Sequence, residues 1–226
     1  MINVSNIISN HIMTLGNVVT LESLYQFKIN LAKVPVPIVF PIKKPYQENL
    51  ALKTGLHNAW IVSPLNIKGD IIEYYIKTWG GIKGNNINTM NQFRTQSTFQ
   101  LLKRGYKGIS SWSKALVIHN PEDYFIYDSR VALSINWLQK KYNLPNDFKF
   151  EIPKSQSKGV SKAIKELNTN KNWNIWKNII QPNDTYEVYL ELLNLISTNT
   201  GYSKSKIEMI LFSIAPSLAD EIIYLS

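Results

Sequence analysis

The chain has 226 residues, 44% of them hydrophobic and 12% aromatic, enough for a buried interior and unlike the composition of a disordered tract. Its formal charge of +9, with an isoelectric point near 9.5, favours an anionic partner, nucleic acid first among them. It has no cysteine, which excludes disulfides, thiolate zinc sites, cysteine nucleophiles and cysteine-ligated iron–sulfur clusters.

The opening "MINVSNIISNHIMTLG" lacks the charged start and unbroken apolar run of a secretory signal. No segment reaches the roughly 18 apolar residues of a membrane span. The expectation is therefore a soluble, cytoplasmic protein with no membrane partner.

Taken in chain order, residues 1–31 read as one or two helices, with Leu24, Phe27 and Leu31 at helical spacing. Pro35, Pro37, Pro41 and Pro45 then force an extended segment, since proline removes amide donors and fixes the backbone. Ile72, Tyr75, Ile76 and Trp79 share one face of a helix over 71–79, which "GGIKGNN" ends. A single helix is expected over 89–104, with Met90, Phe93, Phe99 and Leu102 as its apolar positions. After the tight "GYKGIS" connection comes a short helix through "SSWSKALVIH", capped by Ser110 or Ser111 and stopped at Asn120-Pro121. "EDYFIY" links it to a helix from Ser129 to Tyr142 with Val131, Ile135, Leu138 and Tyr142 as its stripe.

Residues 143–177, rich in lysine, asparagine and serine, read as irregular, with "PKSQSKGVSK" mobile. Two helices close the chain, one marked by Tyr189, Leu192, Leu193 and Ile196. The other opens on a Ser205-x-x-Glu208 capping box and is bent or interrupted at Pro216. The predicted class is all-α, and one helical domain over 1–226 is expected. There is no internal repeat, phosphate-binding glycine loop, serine elbow or histidine pair at metal spacing, so no cofactor and no metal is expected. His11, His57 and His119 are scattered, and His119 reads as a helix cap.

The junction "FIYDSRV" carries the chemistry. Asp128 precedes a helix, where an aspartate caps the first amides and faces the positive end of the helix dipole. The same placement keeps a carboxylate ionised and pointed out of the helix end, suited to a developing cation. Capping and catalysis are both open on the residues alone.

The order helix, glycine turn, short helix, extended link and Asp resembles the helix-hairpin-helix DNA glycosylases over "RGYKGISSWSKALVIHNPEDYFIYDSRVA". "YDSRVA" is most similar to the "VDxRVA" segment of their archaeal 8-oxoguanine branch. The resemblance implies a two-lobed helical fold, with the hairpin and catalytic segment at about 89–142 and Asp128 as the catalytic aspartate. It also implies hairpin amides that hold a DNA phosphate. Gly108 and Ile109 fit the family hairpin, whereas Ser110 stands in place of its second glycine. Bifunctional members use a lysine as Schiff-base nucleophile, and Lys114 is the nearest candidate; its other reading is contact with phosphate or solvent.

Lys103, Arg104 and Lys107 cluster by the hairpin as phosphate contacts. Arg130 either joins them or pairs with Asp123 or Glu122. A flipped base needs an aromatic pocket or wedge. Trp60, Trp79 and Trp112 are its candidates and equally candidates for the core, with Gln92 and Arg94 as polar lining beside Asn58, Phe40 and Tyr46. The small size, the absence of a cluster and the Asn/Ile/Lys-rich character resemble bacterial anti-phage DNA glycosylases. That likeness implies excision of α-glucosyl-5-hydroxymethylcytosine from phage DNA by a monomer acting on duplex DNA. An 8-oxoguanine repair glycosylase, a non-catalytic hairpin module and a protein-interaction scaffold are the alternatives.

Overall fold

The computed structural model describes residues 1–15 and 18–226, with the backbone alone for 18–20. Gly16 and Asn17, inside the first expected helical stretch, lie outside the described residues. The helices run α1 (Ile2–Leu15), α2 (Val18–Leu24), α3 (Pro45–Val62), α4 (Leu65–Glu73), α5 (Ile87–Thr95), α6 (Thr98–Leu102), α7 (Ile109–His119) and α8 (Ser129–Lys141). They continue with α9 (Lys158–Thr169), α10 (Thr185–Thr200) and α11 (Lys204–Leu225). The strands β1 (Phe148–Lys149) and β2 (Asn178–Ile179) pair in parallel, so the chain is helical with a minor sheet. No helix of the described residues is long and apolar enough to cross a membrane.

The chain divides into two compact units, Tyr25–Ile126 and a second built from Met1–Leu24 with Tyr127–Ser226. In the middle unit, the proline-rich stretch carries neither helix nor strand between residues 34 and 44, and Pro45 then starts α3 at a position that needs no amide donor. Gly55 on α3 makes room for this stretch, since a Cβ there would meet Ile38 Cγ2 at 2.7 Å. Buried Asn49 ties both ends of the region together. Its amide donates to the carbonyls of Phe27 and Pro45, and its oxygen accepts the Trp79 indole N–H at 2.8 Å.

Two expectations change here. The helix read over 71–79 starts at Leu65 as α4 and widens into a π-helix over Tyr74–Trp79, which brings Tyr75 and Trp79 into a parallel stack 4.4 Å apart. The single helix read over 89–104 is broken. Ser97 and Gln100 form a capping box that starts α6 afresh, because the serine hydroxyl accepts the Gln100 amide and the Gln100 side chain returns to the Ser97 amide.

In the terminal unit α8 is buried nearly all round, and the buried polar side chains Ser134, Asn136 and Gln139 are spent on backbone. Asn136 exchanges two hydrogen bonds with Phe150, Gln139 does the same with Phe148, and Ser134 donates to the Leu211 carbonyl at 2.7 Å. The side-chain amides thus serve residues 148–150 as a neighbouring strand would, which satisfies backbone groups that burial takes from water. Residues 143–177 are not irregular throughout, as expected, because α9 packs Val160, Ala163 and Leu167 into the core against α8 and α11. The cap of α11 is Ser203 rather than Ser205, and the helix continues through Pro216. Glu208 is therefore no capping residue; it is 4% exposed inside the unit.

Candidate functional site

The hairpin belongs to the middle unit. Between α6 and α7 the chain turns on Gly105 (φ 63°) and Gly108 (φ 73°), a left-handed conformation that side chains resist. Gly108, not Ser110 or Ser111, is the N-cap of α7, and its carbonyl accepts the amides of Ser111 and Trp112. Ile109 donates its amide to Tyr106 at 3.1 Å. The Ser110 hydroxyl is buried with no hydrogen-bond partner among the described residues. Trp112 is 1% exposed and donates its indole N–H to the Gly105 carbonyl, so it pins the turn from beneath.

Lys114 also points inward, being 4% exposed, and its ammonium donates to the Ser110 carbonyl at 3.0 Å. Its stem passes over Gly80, where a Cβ would come within 2.8 Å of Lys114 Cε. Of the basic residues around the hairpin, Lys103 and Lys107 are exposed, with Lys103 over the ring of exposed Phe99. Arg104 is held by Gln92 and Gln96 and lies over Phe93. Gln92 and Arg104 are thereby brought together at 2.9 Å. Arg94 lies over Gly69 with its Nε buried and unpartnered among the described residues. Trp79 is half-buried on its stack, and Trp60 stacks on His119 with ring centroids 4.6 Å apart, beneath the Lys68 ammonium.

His119 ends α7 and meets the Phe93 carbonyl through Nε2. Burial pushes its pKa down to about 4; the Phe93 bond opposes this, and the nearby cationic forms of Lys68 and His57 add to it. In the unfolded chain the imidazole takes up its proton near pH 6.5. Between that pH and about 4 the unfolded state binds more protons, so stability is full above the window and falls as pH falls through it. The urea midpoint is expected to drop from pH 7 to pH 4.5, with a shallower drop in His119→Gln. Equal slopes for the two proteins would refute the assignment.

Asp128 lies two residues past the boundary of the middle unit and opens α8 of the terminal unit. Its extended backbone (φ −132°) sets it as N-cap, and one oxygen, Oδ1, accepts both the Arg130 amide at 3.0 Å and the Val131 amide at 3.1 Å. Among the described residues no hydrogen bond reaches Oδ2. The carboxylate is half-buried, clamped through one oxygen and open at the other. Arg130 makes no ion pair with Glu122 or Asp123 among the described residues; its guanidinium lies over Phe212 at 4.6 Å.

Behind the carboxylate is a buried polar group that the sequence reading missed. Tyr127 and Tyr189 are fully buried, with ring centroids 5.0 Å apart, and Tyr186 stands beside them. Tyr127 donates its hydroxyl to the Glu151 carbonyl at 2.7 Å. The Tyr189 phenol is pushed well up, by burial first and then by Glu208, Tyr186, Asp128 and Tyr127. It therefore stays protonated, a neutral dipole in the field of the Glu208 and Asp128 carboxylates. The signal that could have exposed this group was Glu208, an acid on the apolar side of α11 once Ser203 is recognised as the cap.

Compared with family models, with curated proteins and with solved structures, the chain matches none.

Proposed function

We propose that the chain is a DNA glycosylase of the helix-hairpin-helix kind, excising a modified base and leaving an abasic site. The observation that carries this reading is the divided use of the Asp128 carboxylate, with Oδ1 committed to two amides and Oδ2 bare. An N-cap alone needs one oxygen; a catalyst needs one more in a fixed direction. As the bond between base and sugar breaks, its electron pair leaves with the base and the sugar gains oxocarbenium character. Oδ2 stabilises that charge and orients a water, whose oxygen bonds to the sugar carbon while its proton passes by way of the carboxylate to the departing base. The inward Lys114, bonded to the Ser110 carbonyl, supports hydrolysis without strand cleavage.

The specific base we propose is α-glucosyl-5-hydroxymethylcytosine in phage DNA, which makes the protein an antiviral defence enzyme. The hairpin, with Lys103, Arg104, Lys107 and Gly108, takes the phosphate role, Trp60 and Trp79 with Gln92 and Arg94 are the pocket candidates, and Arg130 is a further DNA contact. The test is abasic-site formation on unmodified duplex, duplex carrying 8-oxoguanine, and T-even-type phage DNA with or without the glucosyl group. Alkali-dependent breaks only on glucosylated DNA are the expected result. Breaks only at 8-oxoguanine would transfer the reading to oxidative repair. No abasic sites together with salt-sensitive DNA binding would leave a non-catalytic hairpin module.

A further inference from the structure

Half-way along the terminal unit the charge of the protein is concentrated on one short stretch. Between residues 152 and 178 there are six lysines (Lys154, Lys158, Lys162, Lys165, Lys171 and Lys177) and a single acid, Glu166. All six lysines are exposed, and among the described residues none of their ammonium groups makes an ion pair, a hydrogen bond or a ring contact. Some lysines elsewhere are engaged, Lys77 with Glu73, Lys140 with Asp147, Lys141 with Glu221, and Lys68, Lys103 and Lys206 over aromatic rings.

Three of the six stand on α9 four and three residues apart. At 100° per residue, Lys158, Lys162 and Lys165 fall within about 60° of one another, at intervals of roughly 6 and 4.5 Å along the axis. Val160, Ala163 and Leu167 lie on the opposite side and are buried at 1% exposure or less. The helix is held to the protein by its apolar face and turns a row of like charges outward. Such a row repels itself unless a polyanion meets it, and duplex DNA, with one charge about every 1.7 Å of its axis, is a dense one. A membrane-surface helix needs its apolar face for the acyl chains; here that face is already used.

We infer that the exposed lysine row of α9 is a second nucleic-acid contact, separate from the hairpin, that grips the phosphate backbone of duplex DNA without reading its sequence. The inference rests on the DNA-directed function proposed above and adds an affinity surface to it. The row supplies counterion release and hence salt-dependent binding to any duplex.

The experiment measures fluorescence anisotropy of an unmodified 20-base-pair duplex with the full chain, across a salt series, for the wild type and the triple substitution Lys158→Gln, Lys162→Gln, Lys165→Gln. Glutamine keeps helix propensity at these exposed positions, and circular dichroism checks the fold. Each lost phosphate contact lowers the slope of log affinity against log salt by about 0.9, so the slope is expected to fall by roughly 2 to 3. An unchanged slope, or loss of binding to phosphatidylserine vesicles but not to DNA, overturns the inference. Abasic-site formation at saturating protein is read in parallel and is expected to be unaffected, since Asp128 is untouched. Absence of abasic sites in both proteins, with the slope reduced, would sink the glycosylase reading and leave this surface standing.

Discussion

Asp128→Asn is expected to lower base excision by about a hundredfold to a thousandfold while changing fold stability by no more than about 1 kcal/mol. The two effects separate because asparagine keeps an amide oxygen for the Arg130 and Val131 amides and is as good an N-cap as aspartate. What it loses is the negative charge, which matters little at a folded helix end and greatly opposite an oxocarbenium ion. Single-turnover abasic-site formation reads the first quantity and thermal unfolding the second. Asp128→Ala is expected to lose both, with about 1 kcal/mol of cap energy added to the loss of turnover. If the asparagine variant turned over like the wild type, the carboxylate would be a cap and nothing more.

Trp112→Ala is expected to cost about 3–5 kcal/mol, enough to unfold a marginal domain. The indole is among the largest fully buried side chains, and its N–H is what the Gly105 carbonyl accepts beneath the turn. Trp112→Phe retains most of the volume and strands that carbonyl, for a loss of roughly 1–3 kcal/mol. Denaturant midpoints for the two variants decide the matter. A wedge that enters DNA would show the reverse: unfolding midpoints near the wild type and damaged excision. The reading of Trp112 as a possible pocket wall and its burial at 1% exposure lead to opposite outcomes, which makes this variant informative about the hairpin as well as the core.

Local chemistry was the legible part of this chain. Asp128 before Ser129, the halt at Asn120-Pro121 and the extension enforced by Pro35 to Pro45 each follow from one or two residues acting on their own backbone. The capping box at Ser97 and Gln100 was equally readable but was overridden by an apolar spacing that runs on through Phe99 and Leu102. Helix α9 was hidden by its composition. Lysine, serine and glycine suggested a loop, yet Val160, Ala163 and Leu167 keep the three-and-four spacing that a helix needs to bury one side. The tyrosines behind Asp128 could not have been found this way. Tyr189 sits on a stripe that packing explains, Glu208 matched a cap pattern, and only folding 60 to 80 positions of chain onto α8 makes them neighbours in charge.

The path of the chain also sets an order of assembly. Tyr25–Ile126 is one continuous stretch, whereas the other unit needs the first 24 residues and the last hundred at once. On a ribosome the hairpin unit is fully synthesised, and free to fold, before the helix headed by Asp128 has partners from α9 and α11. Until then the amino-terminal helix must wait with its apolar side unmatched, and closing that long loop makes the second unit the slow one. A nascent chain would therefore possess the glycine hairpin well before it possesses a supported carboxylate.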